Sequence, residues 1–235
     1  MKLSVVLPVH NQSDYLGSIV DAYVDSLSQL RVDFELILVP NGCRDDSAAV
    51  CLRLSEVDHR IRTVCVTSSG WGGAVIAGLQ AASGDILCYT NSARTRAELL
   101  ADVVERALTG ERRVVKVTRI ERTGLRWFGS TLYNLLGRSL LGLRGWDMNG
   151  TPKVFPRDFK GLLSLSESSD LLDLEFMVIC QRSGYPVDEV MASWGDRVGG
   201  VSTTTLTSAV FMYVGVFRVW FRGIFGRFIL RRWLV

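Results

Sequence analysis

Residues 70–94 read Gly70-Trp-Gly-Gly-Ala-Val-Ile-Ala-Gly-Leu-Gln-Ala-Ala-Ser-Gly-Asp-Ile-Leu-Cys-Tyr-Thr-Asn-Ser-Ala-Arg94. The stretch divides into a glycine-rich loop, a helix of small residues over 74–82, a Gly-Asp turn and a short strand over 85–90. The strand is apolar on both faces, which marks it as the interior of a sheet covered on both sides. It delivers Thr90, Asn91, Ser92 and Ala93 to a polar tip.

The same alternation extends outward in both directions. Upstream, apolar runs at 3–9, 34–39 and 61–66 read as strands. Leu16, Ile19, Val20, Tyr23, Leu27 and Leu30 recur at helical spacing, with Ser13 as the expected N-cap. Asp45 or Asp46 is placed to cap a second helix through about residue 54. Downstream, helices are expected near 97–108, 125–143 and 173–183, the last stopped by Gly184, with strands at 114–118 and 187–193. A loop is expected at 194–202 and helix from 204 onward. Alternating strands and helices specify an α/β fold with a mainly parallel, Rossmann-type sheet and helices on both faces. In such sheets ligands bind beyond the carboxyl ends of the strands, so the tips at 8–12, 40–46, 67–73 and 90–96 are where chemistry belongs.

The chain has 235 residues, 48% of them hydrophobic and 22% charged, enough to bury a full core. Its net charge of +3 is unevenly spread. Residues 1–196 hold 21 basic and 24 acidic side chains; residues 197–235 hold six arginines and no acid. A basic tail rich in aromatics implies a polyanionic partner, and its composition favours a membrane surface over nucleic acid. The uncharged run 206–217 is too short to span a bilayer. Pairing of the tail with another copy of the chain is the second option. The five cysteines are scattered, without a Cys-x-x-Cys pair, which argues against a zinc site and for a reducing compartment. The apolar start of the chain reads as a buried first strand and not as a signal sequence.

The segments Ser4-Val-Val-Leu-Pro-Val-His-Asn-Gln12 and Glu35-Leu-Ile-Leu-Val-Pro-Asn-Gly-Cys-Arg-Asp-Asp-Ser47, in this order before residues 70–94, resemble family-2 glycosyltransferases. Within these the likeness is to the polyprenyl-phosphate sugar synthases, and it covers the chain to about residue 202. The resemblance implies a GT-A-like domain over 1–203, with a nucleotide-sugar half at 1–118 and an acceptor half at 119–203. Residues 204–235 would form an amphipathic, membrane-associating helix. It also implies a nucleoside diphosphate sugar as donor, with Pro8, His10, Gln12 and Asn41 around the base. Gly72 in its loop, Asn91, Ser92 and Arg94 would stand nearer the diphosphate. Close helix–sheet packing by the small residues is the competing reading of the glycines. Pro40-Asn-Gly also reads as a plain turn.

Such enzymes place Asp-x-Asp at the fourth strand's tip to hold a divalent cation. Here the slots hold Asn91, Ser92 and Ala93, so Mg²⁺ or Mn²⁺ binding is weakened greatly. Arg94 and Arg96 stand beside the gap, either taking over part of the metal's electrostatic role or capping the next helix. On the acceptor side the resemblance implies that Arg119, Arg122, Arg126, Ser130 and Arg197 grip an acceptor phosphate. Arg126 and Ser130, four apart, share one face of a helix. Asp147, in Asp147-Met-Asn-Gly-Thr-Pro-Lys153, is the carboxylate left for metal, hydroxyl or base duty. The implied reaction is inverting sugar transfer to a lipid-linked acceptor such as polyprenyl phosphate, by a peripheral protein on the cytoplasmic face of a membrane. A saccharide-hydroxyl acceptor and a non-catalytic, phosphate-binding role are the alternatives.

Overall fold

The computed structural model describes residues 1–68, 70–120, 124–193 and 210–221, with the side chains of 124–127 outside that description. In chain order the elements are β1 (Lys2–Val9), α1 (Leu16–Ser28), β2 (Asp33–Pro40), α2 (Ser47–Val57), β3 (Ile61–Thr63), α3 (Trp71–Ala81) and β4 (Ile86–Tyr89). Then come α4 (Ala97–Thr109), β5 (Val114–Arg119), α5 (Gly124–Leu141), β6 (Lys153–Pro156), a 3₁₀ turn at Lys160–Ser164, α6 (Leu172–Ser183) and β7 (Val187–Ala192). Residues 210–221 are helical and are called α7.

The strands form one sheet ordered β3-β2-β1-β4-β6-β5-β7. Every pairing is parallel except those of β6, which runs antiparallel between β4 and β5. The apolar strand runs are explained by two-sided burial. Leu3, Val5 and Leu7 meet α1, α2 and α4 on one face; Val6, Ile37 and Tyr89 meet α3, α6 and part of α5 and α7 on the other. Chain order reverses between β1 and β4, and this switch point opens the crevice where α/β sheets bind ligands.

Small residues set the depth of α3. A Cβ at Gly78 would lie 2.2 Å from Val6 Cγ1, so the helix sits close against β1 and β2 because glycine leaves the space. At the amino end of the sheet, buried Glu35 ties four segments together. It accepts from Ser4 Oγ (2.6 Å), from Ser83 N and Oγ (2.7 Å each) and from Arg62 Nη1 (3.0 Å). Burial alone would raise its carboxyl pKa; these donors outweigh it and pull the value down to about 2.

Several local expectations are corrected. Ser13 does not cap α1: the N-cap position is Tyr15, and Ser13 Oγ donates to Asp14. Asp46 occupies the N-cap of α2 without a side-chain bond, while Asp45 accepts from Ser47 N and Ser13 N. The third strand stops at Thr63, and beyond it Val64 N still donates to Leu38 O and an Asn41–Val66 bridge returns the chain to the sheet. Helix α3 starts at Trp71, earlier than residue 74, because Gly73 N donates to Ser168 O and Ala74 N to Gly70 O. Strand β6 was not anticipated; its four residues sit in a segment that reads as loop because each is held by neighbours distant in sequence.

Candidate functional site

The tips of β1, β2 and β4 converge at the switch point. Val6 O accepts from Thr90 N and Val9 O from Asn41 N, so successive β1 backbone groups alternate between neighbours. The Pro8 nitrogen therefore faces the β4 side, beyond the last paired residue of that strand, Tyr89, and proline brings no donor there. Pro8 itself is buried, in register with Val39, and shapes the crevice from within the strand. His10 Nδ1 donates to Asn41 O (2.7 Å), which leaves Nε2 to accept from Asn11 Nδ2 (3.2 Å). Asn41 is buried. Its Nδ2 donates to Val9 O (2.9 Å) and Val39 O (3.2 Å), and its Oδ1 accepts from Gly70 N (3.2 Å). These bonds join β1, β2 and the loop before α3, so the side chain expected at a base edge is engaged within the chain.

The Asn91-Ser92-Ala93 tip is a closed turn. Asn91 Oδ1 accepts from Ala93 N (3.1 Å), and Asn91 O accepts from Arg94 N and Thr95 N. Ser92 and Ala93 are buried, and Ser92 Oγ donates to Gln12 Oε1 (2.8 Å) across the crevice. The structure thus brings Gln12 and Ser92 together, with Arg94 half-buried beside them and Arg96 exposed at the start of α4. The donor set does not fit a hard divalent cation. Two neutral side-chain oxygens are already in use, the third slot has none, and among the described residues no three His, Cys, Asp or Glu groups gather.

Gly72 packs closely. A Cβ there would meet Glu167 O at 2.3 Å and Ser169 O at 2.6 Å, so the side-chain face of this glycine lies against the 167–169 backbone.

The β5 and β7 side of the sheet is ionic. Arg119, at the carboxyl end of β5, forms a two-pronged pair with Asp147, through Nε to Oδ2 and Nη2 to Oδ1, and its backbone N also reaches Oδ2 (3.1 Å). Asp147 is buried in the left-handed region at φ 49, which a carboxamide or carboxylate residue adopts more readily than most. The turn is tight: a Cβ at Gly150 would lie 1.9 Å from Val117 O. Fully buried Lys116 clamps the turn by donating to Trp146 O (2.7 Å) and Asp147 O (3.1 Å) while pairing with Glu189 (2.8 Å). Burial lowers the Lys116 pKa, and Glu189 opposes that shift. From α5, Asn134 Oδ1 accepts from Met148 N (3.0 Å) and its Nδ2 donates to Ser130 O (2.8 Å).

A second buried pair lies alongside. Lys153, in register with both Tyr89 and Lys116, pairs with Asp173, which also accepts from Tyr89 Oη (2.8 Å). Burial and Asp173 together push the Tyr89 pKa well up. One helical turn back, burial and Asp173 raise the Asp170 carboxyl. Tyr133 places a buried hydroxyl without a hydrogen-bond partner in the same charged neighbourhood, its own pKa raised by burial, then Asp173 and Asp170.

The two halves differ in what sequence reading supplied. It names Arg119 and Asp147 separately; the structure joins them, with both oxygens of Asp147 engaged by Arg119. It missed Lys116, Glu189 and Asp170. A lysine inside the apolar run Val114-Val-Lys-Val117 was the available signal, since a buried charge must be paired. Arg122, Arg197 and the side chain of Arg126 lie outside the described residues.

An open, mainly parallel sheet with a switch-point crevice, followed by an antiparallel strand and an ionic second half, defines a GT-A-like transferase frame. The chain matches the model described as glycosyl transferase family 2 over residues 4–158, and it belongs to that family. It is 30% identical over 234 residues to Glycosyltransferase AglD of Haloferax volcanii, a match covering 94% of this chain and 37% of that protein. It is 33% identical over 88 residues to the undecaprenyl-phosphate 4-deoxy-4-formamido-L-arabinose transferase of Proteus mirabilis, covering 37% of this chain and 27% of that one. The matched region thus spans little more than a third of the length of the first relative and about a quarter of the second. Among solved structures, glucosyl-3-phosphoglycerate synthase from Mycobacterium tuberculosis, in complex with Mn²⁺, UDP and glucosyl-3-phosphoglycerate, superposes with a TM-score of 0.66. That match has 23% identity and covers 92% of this chain and 77% of the other; it shows the shared fold.

Proposed function

We propose that this family-2 glycosyltransferase moves a sugar, with inversion, from a nucleoside diphosphate sugar to a lipid-linked acceptor carrying a phosphate, such as polyprenyl phosphate. The observation that carries this reading is Arg119, fixed at the carboxyl end of β5 by its two-pronged pair with Asp147. A guanidinium held in place offers an anionic acceptor a pre-oriented partner and reduces the repulsion between two phosphate-bearing substrates. A phosphate acceptor is already a nucleophile and needs little base catalysis, which suits a site whose Asp147 is bound to arginine. The Proteus mirabilis relative is named for an undecaprenyl-phosphate acceptor, which supports the same class. On the donor side, Gln12, Ser92 and Arg94 flank the crevice where the nucleotide sugar would lie. The tail at 204–235 would bring the protein to the cytoplasmic face of the membrane that holds the acceptor. No helix among the described residues is long and apolar enough to cross a membrane.

Asp170 favours a second reading. Its raised pKa suits a general base for a saccharide hydroxyl. Radiolabelled-sugar transfer into isolated membrane lipids, run with several nucleotide sugars, separates the two. Label entering the lipid fraction and abolished by Arg119→Ala supports the phosphate acceptor. Label entering only polysaccharide, and lost in Asp170→Asn, supports the hydroxyl acceptor. Nucleotide binding without transfer to either would leave a binding protein.

A further inference from the structure

The turn that carries Asp147 is held by partners outside itself. Glu189, on β7 at the end of the sheet order, is in register with Lys116 on β5, and the two side chains pair at 2.8 Å. Both reach the backbone of the turn. Lys116 Nζ donates to Trp146 O (2.7 Å) and Asp147 O (3.1 Å). Glu189 accepts from Trp146 N through Oε1 (3.0 Å) and Oε2 (3.3 Å), and from Thr118 Oγ1 (2.9 Å). Glycine permits this approach: Gly145 takes φ 85, and a Cβ there would lie 2.6 Å from Glu189 Oε1. From the α5 side, Arg138 Nη1 donates to Gly145 O (2.8 Å).

Packing alone does not account for the pair. Lys116 lies in the run Val114-Val-Lys-Val117, where an apolar side chain would fill the space without a buried charge. What lysine adds is direction, because it fixes two carbonyls that no apolar side chain can hold. The object of that hold is Asp147. Its backbone stands at φ 49, a sparsely populated region for a residue with a Cβ, and such a conformation persists where its surroundings over-determine it. Its carboxylate in turn grips the Arg119 guanidinium through both oxygens. A chain of fixed groups thus runs from β7 to Arg119.

We propose that Lys116 and Glu189 are positioning residues for the acceptor site: they fix the Trp146–Asp147 backbone, and through Asp147 they aim the Arg119 guanidinium at the acceptor's phosphate. This rests on the reading of Arg119 as the phosphate's partner and adds two residues that act through the protein alone. The effect is geometric. A guanidinium meets phosphate oxygens through two parallel N–H bonds in one orientation, so a tilt of Asp147 weakens the contact without changing the charge of Arg119.

The Arg119 Nε–H resonance of the ¹⁵N-labelled full chain reads that aim, assigned by its loss in Arg119→Lys. Lys116→Met combined with Glu189→Leu removes both charges and their bonds to the turn, keeps similar volume and leaves neither partner buried alone. Asp188→Asn is the control; it neighbours Glu189 on β7 but pairs with Arg106 of α4 (2.8 Å). Wild type and control should show a slowly exchanging, hydrogen-bonded Nε–H signal. In the double variant, folded by circular dichroism, the signal should move to the averaged position of a free arginine. Affinity for farnesyl phosphate, the acceptor probe, should fall roughly tenfold or more. In the Arg119→Lys background the same two substitutions should lower it no further, because they act through Arg119.

Should the double variant unfold, Glu189→Asp decides: it keeps a charge opposite Lys116 but draws the carboxylate back from Trp146 N, and the signal should shift likewise. An unchanged Arg119 signal in the folded variant would overturn the proposal, as would a wild type without a hydrogen-bonded signal. Additive losses in the Arg119→Lys background would assign the pair a general structural role and overturn it too. No binding of farnesyl phosphate to the wild type, beside a signal that the double variant loses, would remove the acceptor reading and leave the hold of Lys116 and Glu189 on Arg119 standing.

Discussion

The carboxyl ends of β1, β2 and β4 and those of β5 and β7 solve opposite problems with opposite chemistry. The first set of tips is joined through neutral side chains: Gln12, Asn41, Asn91 and Ser92 hydrogen-bond one another's segments into closed turns. The acceptor-side edge and the adjoining β6 are charged throughout: Arg119–Asp147, Lys116–Glu189 and Lys153–Asp173 are each buried or nearly so. The hydrogen bonds at the first set of tips are spent on holding the turns together. A paired cation, by contrast, is fixed in direction and can meet a phosphate without reorganising. The cost lies in folding: two lysines with no exposure are tolerated only while their carboxylates stay in place.

That cost is the sharpest way to break the comparison. Asp173→Ala leaves Lys153 buried without its counter-charge and should destabilise the protein by about 3–5 kcal/mol in urea unfolding. Adding Lys153→Met should recover much of the loss. If Asp173→Ala alone is neutral, the acceptor edge is not held by ion pairing.

Glu35, at the opposite end of the sheet, shows a carboxylate serving stability alone. Its folded pKa of about 2 lies below the ordinary 4.5, so its contribution is fully present above pH 4.5 and is lost as pH falls from there towards 2. The buried group accounts for on the order of 3 kcal/mol. Glu35→Gln should flatten this acid limb of the stability profile, and an unchanged limb would assign acid unfolding to other groups.

Arg119→Lys keeps the charge and removes the two-pronged geometry, so transfer to the acceptor should fall by roughly 10–100-fold with little change in donor KM. A drop confined to donor KM would move Arg119 to the other half of the site. The smallest effect is expected at the neutral tip. Ser92→Ala removes one side-chain bond to Gln12 and should lower stability by about 1 kcal/mol in the same urea assay. A loss several times larger would mean that the donor tip is as tightly cross-linked as the acceptor edge.

Apolar periodicity placed the parallel strands and their helices to within a few residues, because two-sided burial leaves continuous Val/Ile/Leu runs that need no partner to be recognised. Strand β6 escaped because Lys153-Val-Phe-Pro156 is short and opens on a charge. Its strand character comes from β4 and β5 on either side. The site divided in the same way. Arg119 and Asp147 could be named because the resemblance to the polyprenyl-phosphate synthases covers their segments, at the end of β5 and before the Gly150 turn. The polarity of Asn41 and Ser92 is visible locally, while the partners that hold them, Gly70 and Gln12, are not.

The sequence by itself determined the layered α/β frame, the family, the absence of carboxylates at the 91–93 tip and the acid-free basic tail, all of them properties of residue type and spacing along one chain. Only the tertiary structure decided which polar groups are already satisfied. Hydrogen bonds and ion pairs such as Asn41 with Gly70, Ser92 with Gln12, Arg119 with Asp147 and Lys116 with Glu189 join residues from 28 to 80 positions apart, and no local pattern encodes such a partner.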